Sequence, residues 1–113
     1  MSDCLFCSII TGDIPATIVA ECEHTIAFRD INPQAPTHIL VIPRVHHPDI
    51  ASLAAAEPVA AAALLTDARA IADAEGFGDA YRLVFNTGAE AGQSVFHAHG
   101  HVLAGREFSW PPG

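Results

Sequence analysis

Near the C-terminus the segment Phe96-His97-Ala98-His99-Gly100-His101-Val102-Leu103 sets three imidazoles at alternate positions. Over residues 94–103 the apolar pattern predicts a β-strand, in which His97, His99 and His101 share one face and Ala98, Gly100 and Val102 the other. A rise of about 3.3 Å per residue separates neighbouring histidines by about 6.6 Å and the outer two by about 13 Å. Metal–nitrogen bonds of about 2 Å cannot gather all three from a straight strand, so a division of labour is expected instead of a three-histidine cage. Near neutral pH one imidazole can attack an electrophile while another donates a proton. Acyl or phosphoryl transfer suits such a set.

Two weaker signals accompany it. The stretch after Asn86, Thr87-Gly88-Ala89-Glu90-Ala91-Gly92-Gln93-Ser94, holds the glycines and hydroxyl of an anion-binding nest, although most such loops are plain turns. Cys4 and Cys7 have Cys-x-x-Cys spacing, open to three readings: a structural Zn²⁺ site completed by His46 or His47 and His97, a redox pair, or two buried thiols. Cys22 has no partner in sequence and is expected in the core.

Composition excludes several classes. The chain carries five basic residues, all arginine, against thirteen acidic ones, a net charge of −8, too few cations to follow a nucleic-acid backbone. An anionic small ligand would therefore rest on histidines and backbone N–H groups. Half of the residues are hydrophobic and mean hydropathy is +0.30, yet no apolar run reaches the eighteen or so residues of a membrane span. Met1-Ser2-Asp3-Cys4 has no signal-peptide pattern, so a cytoplasmic location is the expectation. At 113 residues one domain, 1–113, is expected to bury about two-thirds of its unfolded surface, and a second copy would help it.

The elements that must position the histidines follow from the pattern. Cys4 to Thr11 reads as a short helix closed by Gly12 and Pro15. Thr17 to Cys22 and Thr25 to Asp30 read as a hairpin turning at Glu23-His24. Pro33 and Pro36 make residues 31–36 a loop. His38 to Ile42 is a strongly apolar, central strand stopped by Pro43. Asp49 to Ala55 forms a turn of helix. Val59 to Glu75, with Pro58 at a first helical position and Gly76 as a stop, is the long helix, its face Leu64, Leu65, Ala68, Ile71 and Ala72 directed at a sheet. Ala80 to Asn86 and Ser94 to Leu103 complete an α+β domain with an antiparallel sheet of about five strands.

His97-x-His99-x-His101-Val102-Leu103 resembles the signature of the histidine-triad (HIT) superfamily. Cys4-Leu5-Phe6-Cys7-Ser8-Ile9-Ile10, Asp30-Ile31-Asn32-Pro33-Gln34-Ala35-Pro36-Thr37-His38, Val41-Ile42-Pro43-Arg44, Gly92-Gln93-Ser94-Val95-Phe96-His97 and Trp110-Pro111-Pro112-Gly113 narrow the resemblance to the histidine-triad nucleotide-binding (HINT, or protein-kinase-C-inhibitor-like) branch. It implies a HIT-like fold and a homodimer that hydrolyses purine nucleoside 5′-monophosphoramidates, such as adenosine phosphoramidate or aminoacyl-adenylate-like compounds. His99 would be the nucleophile at the α-phosphorus, His101 the histidine that binds the phosphate next to the leaving group and Ser94 the hydroxyl near that leaving group. His38 and His97 would orient the nucleophile or relay protons. Asn86, Gly92 and Gln93 match phosphate-loop positions. Asp30 would hold the ribose hydroxyls beside Ile31, and Phe6, Ile9, Ile14 and Phe28 would wall the purine. The resemblance also favours a structural Zn²⁺ on Cys4, Cys7, His46 and His97, with His47 the adjacent alternative, and implies no catalytic cofactor. Its Trp-Pro-Pro-Gly tail would pack near a partner subunit's site.

The chain departs from that pattern at Ala98 and Gly100, where bulky apolar residues are usual, at Phe96, usually Tyr, and at Ala104, usually Gly. An interior strand glycine signals a close backbone approach. Two alternatives therefore stand beside phosphoramidate cleavage: dinucleoside-polyphosphate hydrolysis, against which the tail argues, and a nucleotide-binding regulatory protein with little catalysis.

Overall fold

The computed structural model describes residues 3–113. Five antiparallel strands form one sheet in the order β1-β2-β3-β5-β4, with β1 Ile18–Glu21, β2 Thr25–Arg29, β3 Thr37–Pro43, β4 Tyr81–Val84 and β5 Gly100–Ala104. All seven residues of β3 are buried, as its unbroken apolar run requires of a strand covered on both faces. Pro43 closes β3 as its last paired residue, opposite Thr25.

Alternation along β3 sorts the core into two layers. Ile39 and Val41 join Ala27 and Val102 under the long helix α3 (Pro58–Ala74), which meets them with Ala60, Leu64, Ala68, Ile71 and Ala72. The alanines hold α3 close to the sheet, and Pro58 opens it at a position where no N–H is missed. Leu65, expected on this face, is 51% exposed, because the buried stripe runs through positions 60, 64, 68, 71 and 72 and leaves it on the flank. The short helix α2 (Ile50–Ala56) precedes α3, capped by Asp49 Oδ1, which accepts the Ser52 N–H at 2.8 Å.

On the opposite face Leu40 and Ile42 join Ile26 and Phe28 beneath the N-terminal helix α1 (Leu5–Thr11) through Phe6 and Ile9. Cys4 caps α1, its Sγ accepting the Cys7 N–H, and Gly12 ends it at φ +85°. Polar ties pin the sheet to α3 and its C-cap: Arg29 donates twice to Glu75, at 3.0 and 3.1 Å, the Thr37 hydroxyl donates to Glu75 at 3.3 Å, and the Thr25 hydroxyl donates to Asp67 at 2.7 Å. Cys22, expected in the core, is half-buried at the β1–β2 turn and borders a cavity between β1 and α3.

The histidine segment differs most from expectation. The strand predicted over 94–103 begins only at Gly100, and residues 94–99 are irregular. Ala98 donates its N–H to the His47 carbonyl at 2.7 Å, outside the ladder, and His97 turns away from the face that carries His101. Likewise the strand predicted over 80–86 pairs only from Tyr81 to Val84. Among the described residues no helix is long and apolar enough to cross a membrane.

Candidate active site and metal centre

His101 on β5 stands opposite Leu40 of β3 and Val84 of β4, and His38 stands opposite Leu103, so His38 and His101 share the face that α1 partly covers. The His99 ring, just before β5, lies 5.0 Å from that of His101. His38, His97 and His99 are buried and His101 is half-buried.

Backbone groups set the tautomer of each ring. His99 Nδ1 lies 2.7 Å from the His97 carbonyl, an acceptor only, so Nδ1 carries the proton and Nε2 keeps a lone pair. His38 Nδ1 accepts the Gln34 N–H at 3.0 Å, which puts its proton on Nε2. That proton is donated to His101 Nδ1 at 2.9 Å, with an Asp30 carboxylate oxygen 3.4 Å from the same nitrogen. His101 in turn holds its proton on Nε2 and offers it outward. One lone pair and one N–H thus face the site on adjacent rings.

Burial keeps these rings neutral. Desolvation lowers the pKa of His99, against the hydrogen bond to the His97 carbonyl and the charge of Asp30. Desolvation likewise lowers His38, opposed by Asp30. His101 falls to about 4, through desolvation first and then the neighbouring His99 and His38. A neutral imidazole with a bare Nε2 can attack an electrophilic phosphorus or carbonyl near pH 7.

A second cluster lies behind His99. Cys4 Sγ is 3.4 Å and Cys7 Sγ 3.6 Å from His97 Nδ1, Cys7 Sγ is 3.5 Å from His46 Nδ1, and the two Nδ1 atoms are 3.1 Å apart. Zn–N bonds of about 2.05 Å and Zn–S bonds of about 2.3 Å give a tetrahedron edges of about 3.3 Å between nitrogens and about 3.5 Å between nitrogen and sulfur. These four distances match those edges, and all four donor atoms lie within 4.8 Å of one another. His97 donates its other ring proton, on Nε2, to the Pro43 carbonyl at 2.9 Å, the outer hydrogen bond that leaves Nδ1 open to a metal. Asp30, His38 and His101 also lie within ligand distance of one another, but His38 Nδ1 is taken by a peptide N–H and its Nε2 is therefore protonated. Chemistry separates the clusters: the first suits a tetrahedral metal, the second a proton-bearing chain. His47 is not part of either; its carbonyl holds Ala98, and its Nε2 is buried without a hydrogen-bond partner among the described residues.

Two cavities lie beside the histidines, one behind the Phe6 ring that packs on His99 and one lined by His38 and His101 themselves. One, of about 160 Å³, opens between α1 and the sheet, walled by Phe6, Ile9 and Phe28, with Ile14, Asp30 and Ile31 at its edge. Phe6 packs edge-on against Phe28 at 5.4 Å and His99 at 5.0 Å. Ile31 is fully exposed and Ile14 37% exposed, so these two are rim and not wall. Asp30 accepts the Asn32 N–H through its other oxygen. The second cavity, of about 210 Å³, is lined by Gln34, His38, Asn86 and His101.

The loop residues divide. Asn86 borders the second cavity, and Gly92, at φ +98°, lies against its side chain. Gln93 points inward: it is buried, accepts the Gly88 N–H at 2.9 Å and donates to the carbonyls of Pro48 and Val95 at 2.7 and 3.0 Å. Ser94 follows it, exposed to solvent. Sequence reasoning did not find Leu5, Pro15 and Leu40 in the first cavity, nor the carbonyls and N–H that fix the tautomers, since backbone groups leave no mark in residue type.

The HIT domain family model matches residues 11–108. A 14 kDa zinc-binding protein of Zea mays is 49% identical over 115 residues, covering 99% of this chain and 89% of that protein. The crystal structure of a HIT family hydrolase from Legionella pneumophila superposes with a TM-score of 0.93 at 48% identity, covering 98% of this chain and all of the other. A histidine triad nucleotide-binding protein from Candida albicans superposes with a TM-score of 0.84 at 27% identity, over 96% of this chain and 83% of its own. The α+β fold, the five-stranded antiparallel sheet and the three histidines converge with these matches on one conclusion: the chain belongs to the HIT family.

Proposed function

We propose that this chain is a nucleotide-binding hydrolase of the HINT-like branch that cleaves purine nucleoside 5′-monophosphoramidates through a nucleotidyl-histidine intermediate. The observation that carries the reading is the His99 ring, whose Nδ1–H is held by the His97 carbonyl while Nε2 is bare. The relatives named as a HIT family hydrolase and a histidine triad nucleotide-binding protein support the class.

In the first half-reaction the Nε2 lone pair of His99 forms a bond to the α-phosphorus and the P–N bond breaks. Its electron pair leaves with the amine, which takes a solvent proton passed by the Ser94 hydroxyl. His101 donates its Nε2–H to a phosphate oxygen, and Asp30 and His38 hold that ring in its donor tautomer. In the second half-reaction a water oxygen attacks phosphorus, the P–Nε2 bond breaks, and its pair returns to His99. The proton lost by that water balances the one consumed by the amine.

The apolar cavity beside Phe6 and Phe28 would take the purine, with Asp30 accepting hydrogen bonds from the ribose hydroxyls. Gly92 and Asn86 would flank the phosphate, and Gln93 would support that loop from beneath. A Zn²⁺ on Cys4, Cys7, His46 and His97 would cross-link α1 to the catalytic turn and take no part in bond cleavage. Thiol ligands of this kind suit the reducing cytoplasm, the location we assign. We also assign a homodimer, because β4 is an edge strand and Trp110, 83% exposed, needs a covering surface.

The test is hydrolysis of a fluorogenic adenosine phosphoramidate by wild type and His99→Ala, with intact mass recorded after rapid quench. Turnover lost in the variant and a nucleotidyl adduct on wild type are the expected results. Folded wild type that binds AMP yet shows neither would overturn the reading in favour of a nucleotide-binding regulatory protein. Turnover of dinucleoside polyphosphates in preference to the phosphoramidate would move it to that substrate class.

A further inference from the structure

The thiol–imidazole cluster and the nucleotide cavity are built from the same segments. Cys4 and Cys7 flank Phe6 at the start of α1, and the Phe6 ring, edge-on to His99 at 5.0 Å, is a wall of the cavity that also takes in Ile9. His97 turns its Nδ1 to the two sulfurs while its own carbonyl, 2.7 Å away, holds His99 Nδ1–H. His46 contributes the fourth donor, and the next residue, His47, accepts the N–H of Ala98, the residue between His97 and His99. Every protein segment that reaches the metal donors therefore also positions a wall of the cavity or the nucleophile.

The helix in question cannot hold itself in place. α1 has seven residues, well short of the length at which an isolated helix is stable, and its first turn contains no acidic side chain. Its N-cap acceptor is the Cys4 sulfur, one of the metal donors. Packing of Phe6 and Ile9 and the donor cluster are what tie it to the sheet. A ligand that orders α1 from either side lowers the ordering cost met by the other.

We infer that zinc binding at Cys4, Cys7, His46 and His97 and purine-nucleotide binding beside Phe6 and His99 are positively coupled, each tightening the other. The inference rests on the proposed nucleotide site and adds its regulation: zinc supply sets how well the pocket holds nucleotide. Linkage requires one factor in both directions, expected at about tenfold, within the usual range of coupling between sites.

The direct test measures two equilibria and one rate. Calorimetry with AMP on zinc-loaded and chelator-stripped protein reads the first, and zinc affinity by chelator competition with and without saturating AMP reads the second. Release of zinc from loaded protein to a chromogenic chelator, with and without AMP, supplies a measurement that needs no folded stripped state. The expected results are about tenfold tighter AMP binding to loaded protein and zinc release slowed by AMP. Phe6→Ala, which removes the shared wall, should weaken AMP and abolish the effect of AMP on zinc release. AMP that binds loaded wild type while leaving zinc release and zinc affinity unchanged would overturn the coupling alone. Absence of AMP binding to loaded wild type would instead overturn the nucleotide reading on which it rests.

Discussion

Gly100 separates the two rings of the site, and its hydrogen is all the space allows. A Cβ there would lie 3.0 Å from Leu83 Cδ1 and 3.0 Å from Phe85 Cε1, on the side of the sheet away from the histidines. The unusual glycine in the triad is matched by the bulk of Phe85 and Leu83 behind it, a close approach that the interior strand glycine signals even though its partner is far away in sequence. Gly100→Ala forces those two side chains to yield while His99 and His101 flank the shifted backbone. We expect it to cost about 1 kcal/mol of stability, read from the urea midpoint, and to lower kcat more than it weakens AMP binding. An unchanged kcat would mean that the strand absorbs the methyl without moving the rings. Residue type and spacing singled out His97, His99 and His101, and the family resemblance added His38, whereas the tautomers depend on the His97 carbonyl, the Pro43 carbonyl and the Gln34 N–H, which any residue supplies.

At the scale of elements, the loop before β5 is governed by hydrogen bonds to distant backbone. Alternating histidines read as a strand over 94–103, but Ala98 bonds to His47 and His97 faces the cysteines, so only 100–104 joins the ladder. Long-range partners outweigh the local two-residue period there. The central strand and long helix were legible because both carry patterns that one face or both faces of the core dictate, an unbroken apolar run in β3 and a helical stripe in α3. Leu65 shows the limit of the second: an apolar residue adjacent to a stripe is not thereby on it. Gln93 matches a phosphate-loop position by resemblance, yet its amide is occupied in joining Gly88, Pro48 and Val95. Gln93→Ala leaves that N–H and those carbonyls without their partner in a buried site. We expect a loss of about 2 kcal/mol, from the cost of unsatisfied buried groups, and faster amide exchange at Gly88. Unchanged exchange at Gly88 would show that the loop is held by other contacts.

For the molecule as a whole, the site imposes a pH limit on stability. Composition indicated an acidic chain with a modest core, and the ion pairs that matter lie where helix and sheet meet: Arg29 bonds Glu75 and thereby lowers its pKa, an effect also aided by Thr37. A carboxylate lowered in this way contributes stability that is present above its unfolded pKa and lost as pH falls through the folded one. The buried histidines act in the same direction by a different route. His38, His99 and His101 are lowered in the fold, and unfolding returns them to an ordinary value of 6.5. Below pH 6.5 the unfolded chain binds protons that the folded chain refuses, so stability declines as pH falls, for His101 until about pH 4. Unfolding measured on zinc-loaded protein should show Tm at least about 4 °C lower at pH 5 than at pH 7, the shift that about 1 kcal/mol produces in a domain of this size. His101→Asn, which retains polarity without titrating in this range, should reduce that pH dependence. AMP should oppose it as well, because a bound phosphate favours the protonated rings that burial otherwise suppresses. A Tm that is flat between pH 7 and 5, with all three histidines intact, would mean that the rings titrate in the folded chain as freely as in the unfolded one, and the neutral nucleophile inferred for His99 would lose its electrostatic basis.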